Sequence, residues 1–321
     1  MPGGRARRAP RPDWLHGAIV VDKPGGVSSG WVVEELRRRL GIDAIGHTGT
    51  LDPMASGVLP LVLGQATKLA GFLLAEHKAY DAVIELGVET DTLDREGRVT
   101  ARAPAAAAAV TEAEVRAALA SWLGPRVQTP PAFSAIKVQG RRLYQRALSG
   151  EEVAAPTREV VFHELTLRAF APPRVELSVA CSKGTFVRAL ARDLGQALGC
   201  GAHLTELRRT RSGRFTLADA HPMAKLHRTS APELLVPLAS VAELPRVAVA
   251  EEVAADIEHG RRVRLPELPA ELANGEVFQL VTPQGWVIAV ARMVDGLATY
   301  DRVLRRADFA ARSVAAGNAP P

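Results

Sequence analysis

The run GHTGTLDPMASGVLPL at residues 46–61 holds one carboxylate, Asp52, and one imidazole, His47, among glycines, threonines and prolines. A lone aspartate in such a setting has two ordinary uses. It can cap a helix, with Pro53 at the first helical position. It can also act as an ionised nucleophile, in which case its partners must come from elsewhere in the chain. From Asp52-Pro53 alone the cap is the commoner reading. A literal GxSxG match occurs at Gly26-Val27-Ser28-Ser29-Gly30, but an elbow needs a strand running straight into the serine, and Asp22-Lys23-Pro24-Gly25 intervenes. A turn and a helix cap at Ser29 explain the two serines with less strain. The chain contains no GxGxxG, no Walker A run and no HExxH. The acidic turn TDTLDREG misses the EF-hand spacing, so no calcium site is read there. Cys181 and Cys200 form no CxxC and no metal spacing, which fits a reducing cytoplasm.

Several elements must position these groups. Ala18–Val21 is a short apolar strand ending in a turn at Lys23–Gly26. The helix after it has Val33, Leu36 and Leu40 on one face and Gly41 as its stop. An apolar stretch runs from the Asp52 loop to about Leu74. Tyr80, Ala82, Ile84 and Leu86 alternate as one side of a strand. PAAAAAV (104–110) reads as a low-complexity linker before a helix with the capping box Thr111/Glu114, which Gly124-Pro125 stops. Residues 126–150 read as a basic, irregular segment. In it Lys137, Arg141, Arg142 and Arg146 interleave with Phe133 and Tyr144, a composition that suits single-stranded RNA as well as solvent. Val175, Leu177, Val179 and Cys181 alternate as a strand that enters SKGT. A helix with Phe186, Leu190 and Leu194 on its apolar face follows and ends at Gly199, with Arg188 and Arg192 on another face. Beyond Pro245 come a short helix (251–259) and strands broken at Pro283–Gly285 and Asp295-Gly296, a small β-rich unit.

A chain of 321 residues suits one large domain plus a small one. Its net charge of +5 points toward an acidic partner, nucleic acid first. No apolar run reaches membrane-spanning length, and the start, MPGGRARRAPRP, lacks the apolar core of a signal peptide. Residues 1–12 are expected to form a disordered basic tail and 309–321 a frayed end.

GHTGTLDP, the tyrosine-led strand at Tyr80, CSKGTFVRALARDLG and CGAHLTELRRT occur in this order, and together they resemble the bacterial TruB family of tRNA pseudouridine synthases. The resemblance runs from VVDKPGGVSS through LRRTRSG. It implies an α+β fold with a mixed, mainly antiparallel central sheet and flanking helices. It further implies a catalytic domain over 13–245, an RNA-gripping insertion at 125–152 and a PUA-like RNA-binding domain over 246–308. The implied reaction is isomerisation of uridine fifty-five in the tRNA T-loop, with no cofactor and no metal. Asp52 is then the nucleophile, Arg188 its ionic partner, and Tyr80 the residue that stacks on the target base. His47 supports the flipped loop, while Lys23, Pro24, Leu207 and Phe186 lie about the pocket. Lys68 and the basic 126–150 segment are candidates for RNA contact. Phe186 stands where the family often has tyrosine, and Ala132-Phe133 where Met-Tyr is common. The partner is the T-arm of tRNA, the chain a cytoplasmic monomer. Two other readings share these residues: a synthase for another RNA, or a non-catalytic RNA-binding or tRNA-folding module.

Overall fold

The computed structural model describes residues 16–74, 77–134, 136–149, 151, 155–226, 231–261, 263 and 272–305. Both expected terminal tails lie outside them.

Seven strands carry most of the main sheet: β1 (Gly17–Lys23), β2 (Ser56–Leu63), β3 (Lys78–Leu86), β4 (Gly124–Gln128), β5 (Arg158–Ala171), β6 (Arg174–Cys181) and β7 (Ala202–Ser212). Their order across the sheet is β1-β2-β7-β3-β6-β5-β4, with the short strand His221–Pro222 outside β1. Only the β2–β7 pair and the β1 pairing with His221–Pro222 are parallel among these neighbours. This is the expected mixed, mainly antiparallel α+β architecture.

Side-chain alternation explains the layers. On β3, Tyr80, Ala82, Ile84 and Leu86 turn to the main core, and Asp81 turns to solvent. Three helices cover that core: α1 (Ser29–Leu40), α2 (Glu112–Ser121) and α3 (Val187–Ala197). At β1 and β2 both faces are apolar for a reason. Ile19, Val21, Leu59 and Leu61 face the main core, whereas Ala18, Val20, Val58 and Val62 pack with Val287, Val290 and Leu304 from the end of the chain. Val287 and Val290 belong to a four-stranded sheet of β8 (Arg246–Ala248), β9 (Val277–Val281), β10 (Val287–Val294) and β11 (Leu297–Val303), backed by α4 (Glu251–Glu258), and Leu304 directly follows β11.

The structure corrects several local expectations. Ser28, and not Ser29, caps α1 by accepting from Trp31 N, while Ser29 is already helical. Gly41 ends α1 in the left-handed region, φ 62°. PAAAAAV is no linker: Pro104–Ala109 is a helix with proline in its first turn, where alanine propensity prevails. Asp52 caps no helix, because the chain turns at Pro53-Met54 and enters β2. The 126–150 segment is also more regular than expected. Its start pairs with β5 in the register Arg158↔Gln128, and a hairpin (Lys137–Val138 with Arg141–Arg142) leads into the helix Leu143–Leu148. Phe186 precedes α3 instead of lying on its face, and Arg188 is turned inward among the buried residues.

Candidate active site

The loop carrying Asp52 is held from beneath by groups of opposite hydrogen-bonding need. The Ser29 hydroxyl donates to Leu51 O at 2.9 Å and accepts from Leu51 N at 2.8 Å, so one buried side chain fixes both polar groups of the residue before the aspartate. Gly26 N donates to Pro53 O at 2.8 Å, and Ala55 N to Asp52 O at 3.1 Å. Lys23 is fully buried, and its ammonium donates to the carbonyls of Pro24 (2.9 Å), Val27 (2.6 Å) and Pro53 (3.2 Å). Burial pulls its pKa down to about 8, against the attraction of Asp52 and Glu96.

Asp52 itself keeps a third of its side chain exposed, and Arg188 reaches it from the first turn of α3. Arg188 Nη2 donates to Oδ1 at 3.1 Å, and Nε lies 2.9 Å from Oδ2 without a well-aimed hydrogen, so the pair makes one good hydrogen bond and one close ionic contact. The same guanidinium donates to Thr92 O (2.9 Å) and Phe133 O (3.0 Å) and lies 3.6 Å from Asp94 Oδ2. Asp94 is buried; its Oδ1 accepts from the Thr92 hydroxyl at 2.6 Å and from Glu96 N at 3.0 Å. Arg188 therefore bridges two carboxylates, one sealed and one open, and the open one is free to meet a substrate.

A cavity of about 310 Å³ opens over this pair, lined by Asp52, Tyr80, Phe186, Arg188, Leu207 and Arg209 among others. Tyr80 and Arg209 face each other across the β3–β7 register, and both line this cavity. Burial raises the Tyr80 pKa, and Arg209 is the chief group drawing it back. Phe186 is pinned by Gln128, whose amide accepts from Phe186 N (2.9 Å) and donates to Phe186 O (3.1 Å). A larger cavity of about 500 Å³ shares Leu207 but is lined by Asp81, Glu176, Arg168 and Arg208 and contains neither Asp52 nor Arg188.

Five sequence-derived residues thus gather at one cavity: Asp52, Tyr80, Arg188, Phe186 and Leu207. Lys23 lies under the loop and Pro24 is exposed beside it, neither lining the cavity. His47 is partly buried beside the loop, Nδ1 3.4 Å from Gly49 N, and burial lowers its pKa. Lys68 is remote, its Nζ donating to Val303 O at 3.1 Å on β11. Arg141 and Arg146 both pair with Glu151, at 2.8 and 2.9 Å, and the side chains of Lys137 and Arg142 lie outside the described residues. Sequence reading missed Asp94, Arg209 and Gln128, whose partners are far away in the chain. Among the described residues, no group of three His, Cys, Asp or Glu side chains could hold a metal, and no helix is long and apolar enough to cross a membrane.

Residues 37–187 match the TruB family pseudouridylate synthase N-terminal domain, and 188–234 match the tRNA pseudouridylate synthase B C-terminal domain. A Burkholderia pseudomallei protein called tRNA pseudouridine synthase B is 41% identical over 305 residues, covering 93% of this chain and 98% of its own. One of the same description from Syntrophus aciditrophicus is 40% identical over 300 residues, 89% and 95% of the two chains. Among solved structures, a chain of a Cbf5-Nop10-Gar1 complex superposes with a TM-score of 0.72 at 25% identity, over 94% of this chain and 91% of that one. With two family models spanning more than half of its length and relatives above 40% identity at nearly full coverage, the chain belongs to the TruB family of pseudouridine synthases, isomerases that modify tRNA.

Proposed function

We propose that this chain converts the T-loop uridine at position fifty-five of tRNA to pseudouridine, with Asp52 as the nucleophile. The observation that carries this reading is the partly open Asp52 carboxylate, paired with the buried Arg188 guanidinium at the edge of a base-sized cavity. The cavity is concave, so the uridine must leave its stack to enter it. Tyr80 and Leu207 then offer an aromatic and an apolar surface for the base, and Phe186 extends the apolar rim.

Asp52 attacks either C6 of the base or C1′ of the ribose; both courses use the same carboxylate and the same arginine. The C1′–N1 bond breaks, the base rotates, and C5 bonds to C1′. A covalent intermediate divides one difficult exchange into easier steps. Tyr80 is placed to take the proton from C5, and N1 gains one from solvent, so the overall change is an isomerisation. This chemistry calls on no cofactor.

The neighbouring residues have subsidiary roles in this reading. Lys23, itself bonded to Pro24 O, sets the height of the Asp52 turn through the Pro53 carbonyl. His47 supports the flipped loop. The 125–152 insertion grips the RNA arm, where phosphates compete with Glu151 for Arg141 and Arg146. Residues 246–308 act as a PUA-like RNA-binding unit, and Lys68 joins that unit to the body through Val303. The enzyme works as a cytoplasmic monomer on the tRNA T-arm. Carbodiimide mapping of an unmodified tRNA transcript after incubation tests the assignment. One new stop at the T-loop uridine, abolished when that uridine is changed to cytidine, is the expected result. Modification at another position, or none, overturns it.

A further inference from the structure

Arg209 is 1% exposed, its guanidinium donates to the neutral carbonyls Val58 O at 2.7 Å and Gly49 O at 3.2 Å, and Tyr80 is its direct partner across the β3–β7 register. A cation without a carboxylate is costly to keep inside a fold, so an arginine needed only for packing is poorly suited to this position. The backbone is built to admit it. Gly57 lies opposite Arg209 in the parallel β2–β7 pair at φ 103°, and a Cβ there would stand 2.2 Å from Arg209 O. Without that Cβ the two strands close, and the guanidinium reaches both Val58 and Gly49. Gly49 is three residues before Asp52 in the chain. One buried side chain is therefore bonded to the loop of the acid and stands beside the tyrosine across the strand pair.

We infer that Arg209 is a positioning residue that fixes Tyr80 against the Asp52 loop, so that Tyr80 serves as the base for the C5 proton. This rests on the reading that Asp52 drives uridine isomerisation. In the step concerned, C5 already carries its new bond to C1′. The C5–H bond breaks and the proton passes to the Tyr80 oxygen. The C5–H electron pair forms C5=C6, the C6=N1 pair moves onto N1, and N1 takes a proton from water. The phenol then returns its proton to solvent. A fixed positive charge beside Tyr80 steadies the ring and favours the state that must accept the proton, and burial keeps that charge effective.

The test uses full-length Arg209→Met and Arg209→Lys in single-turnover reactions with tRNA carrying hydrogen or deuterium at the target C5. Arg209→Met is expected to lower the rate about 10²-fold, the lower range for a general base. It is also expected to enlarge the C5 isotope effect and to move the rising limb of the pH–rate curve to higher pH. Arg209→Lys, which keeps the charge, recovers part of each change. In a Tyr80→Phe background, Arg209→Met has no further effect, because the group through which it acts is gone. A slower reaction with the isotope effect and pH curve unchanged, or an undiminished loss in the Tyr80→Phe background, would overturn the inference. Should Arg209→Met not fold, the isotope effect of Arg209→Lys decides alone: an unchanged value overturns it. A fully active Asp52→Asn would instead remove the underlying reading, so the two failures are distinguishable.

Discussion

Replacing Arg188 with lysine keeps the charge and removes the fork. The guanidinium meets Asp52 at two points (2.9 and 3.1 Å), bonds to Thr92 O and Phe133 O, and lies 3.6 Å from Asp94. A lysine ammonium is a single point and cannot serve two carboxylates and two carbonyls spread around a plane. Removing one charge of a buried pair costs about 3–5 kcal/mol, and lysine, which keeps the charge but compensates buried Asp94 less well, costs less than that. Asp52 is partly exposed, so its own loss is smaller. One hydrogen bond to a charged group is worth about 1.5–3 kcal/mol, roughly a 10- to 100-fold fall in rate if it acts in the transition state. The assay is single-turnover pseudouridine formation at saturating enzyme, with the Kd for tRNA and a thermal melt measured in parallel. Arg188→Lys is expected to fold with a lowered Tm, to bind tRNA within about twofold of wild type, and to react at least tenfold more slowly. A parallel loss of binding and rate would place Arg188 in RNA recognition, and an unchanged rate would show that the Asp52 contact has no part in catalysis.

The pH dependence of Lys23 has a definite sign. Its folded pKa of about 8 lies below the ordinary 10.5, so between these values the unfolded chain binds more protons and stability rises with pH. Relative to Lys23→Met, wild type should gain stability from about pH 8 toward 10.5 in denaturant titrations, and a flat or falling difference would show that the amine is not desolvated. Ser29→Ala removes both polar partners of Leu51 and should cost about 1–3 kcal/mol, with a drop in kcat exceeding the change in tRNA affinity. Equal effects on both would mean that the hydroxyl supports only the fold. Gly57→Ala places a Cβ 2.2 Å from Arg209 O at φ 103°, and strain plus overpacking should cost about 2–6 kcal/mol. A melting temperature unchanged by this substitution would mean that β2 and β7 separate without penalty.

The elements that could be read directly from the chain were those governed by local chemistry. Alternation at Tyr80–Leu86 and Val175–Cys181, the Thr111/Glu114 box and the Gly41 stop all depend on residues a few positions apart. Local signals also misled. Asp52-Pro53 has the composition of a helix start, yet the loop around it is set by Ser29 and Lys23, which lie more than twenty residues away. The 126–150 segment looked irregular because its first strand exists only by pairing with β5. At the site, Asp52, Tyr80 and Arg188 were found through motifs. Asp94 sat in a turn weighed only for calcium, and Arg209 lay in a run of basic residues that reads as surface. Their burial depends on contacts between residues far apart in the chain, such as Arg209 with Gly49 across 160 positions, which spacing along the sequence does not reveal.

The central claim is that Asp52 is the nucleophile and not a structural turn residue. Tritium release from an unmodified tRNA transcript labelled at uridine C5 tests it most directly, using wild type and Asp52→Asn, a change that preserves size and turn geometry. Wild type should release about one tritium per tRNA, and Asp52→Asn none while still binding the transcript. Release by Asp52→Asn at the wild-type rate would contradict the account and return Asp52 to a purely structural role.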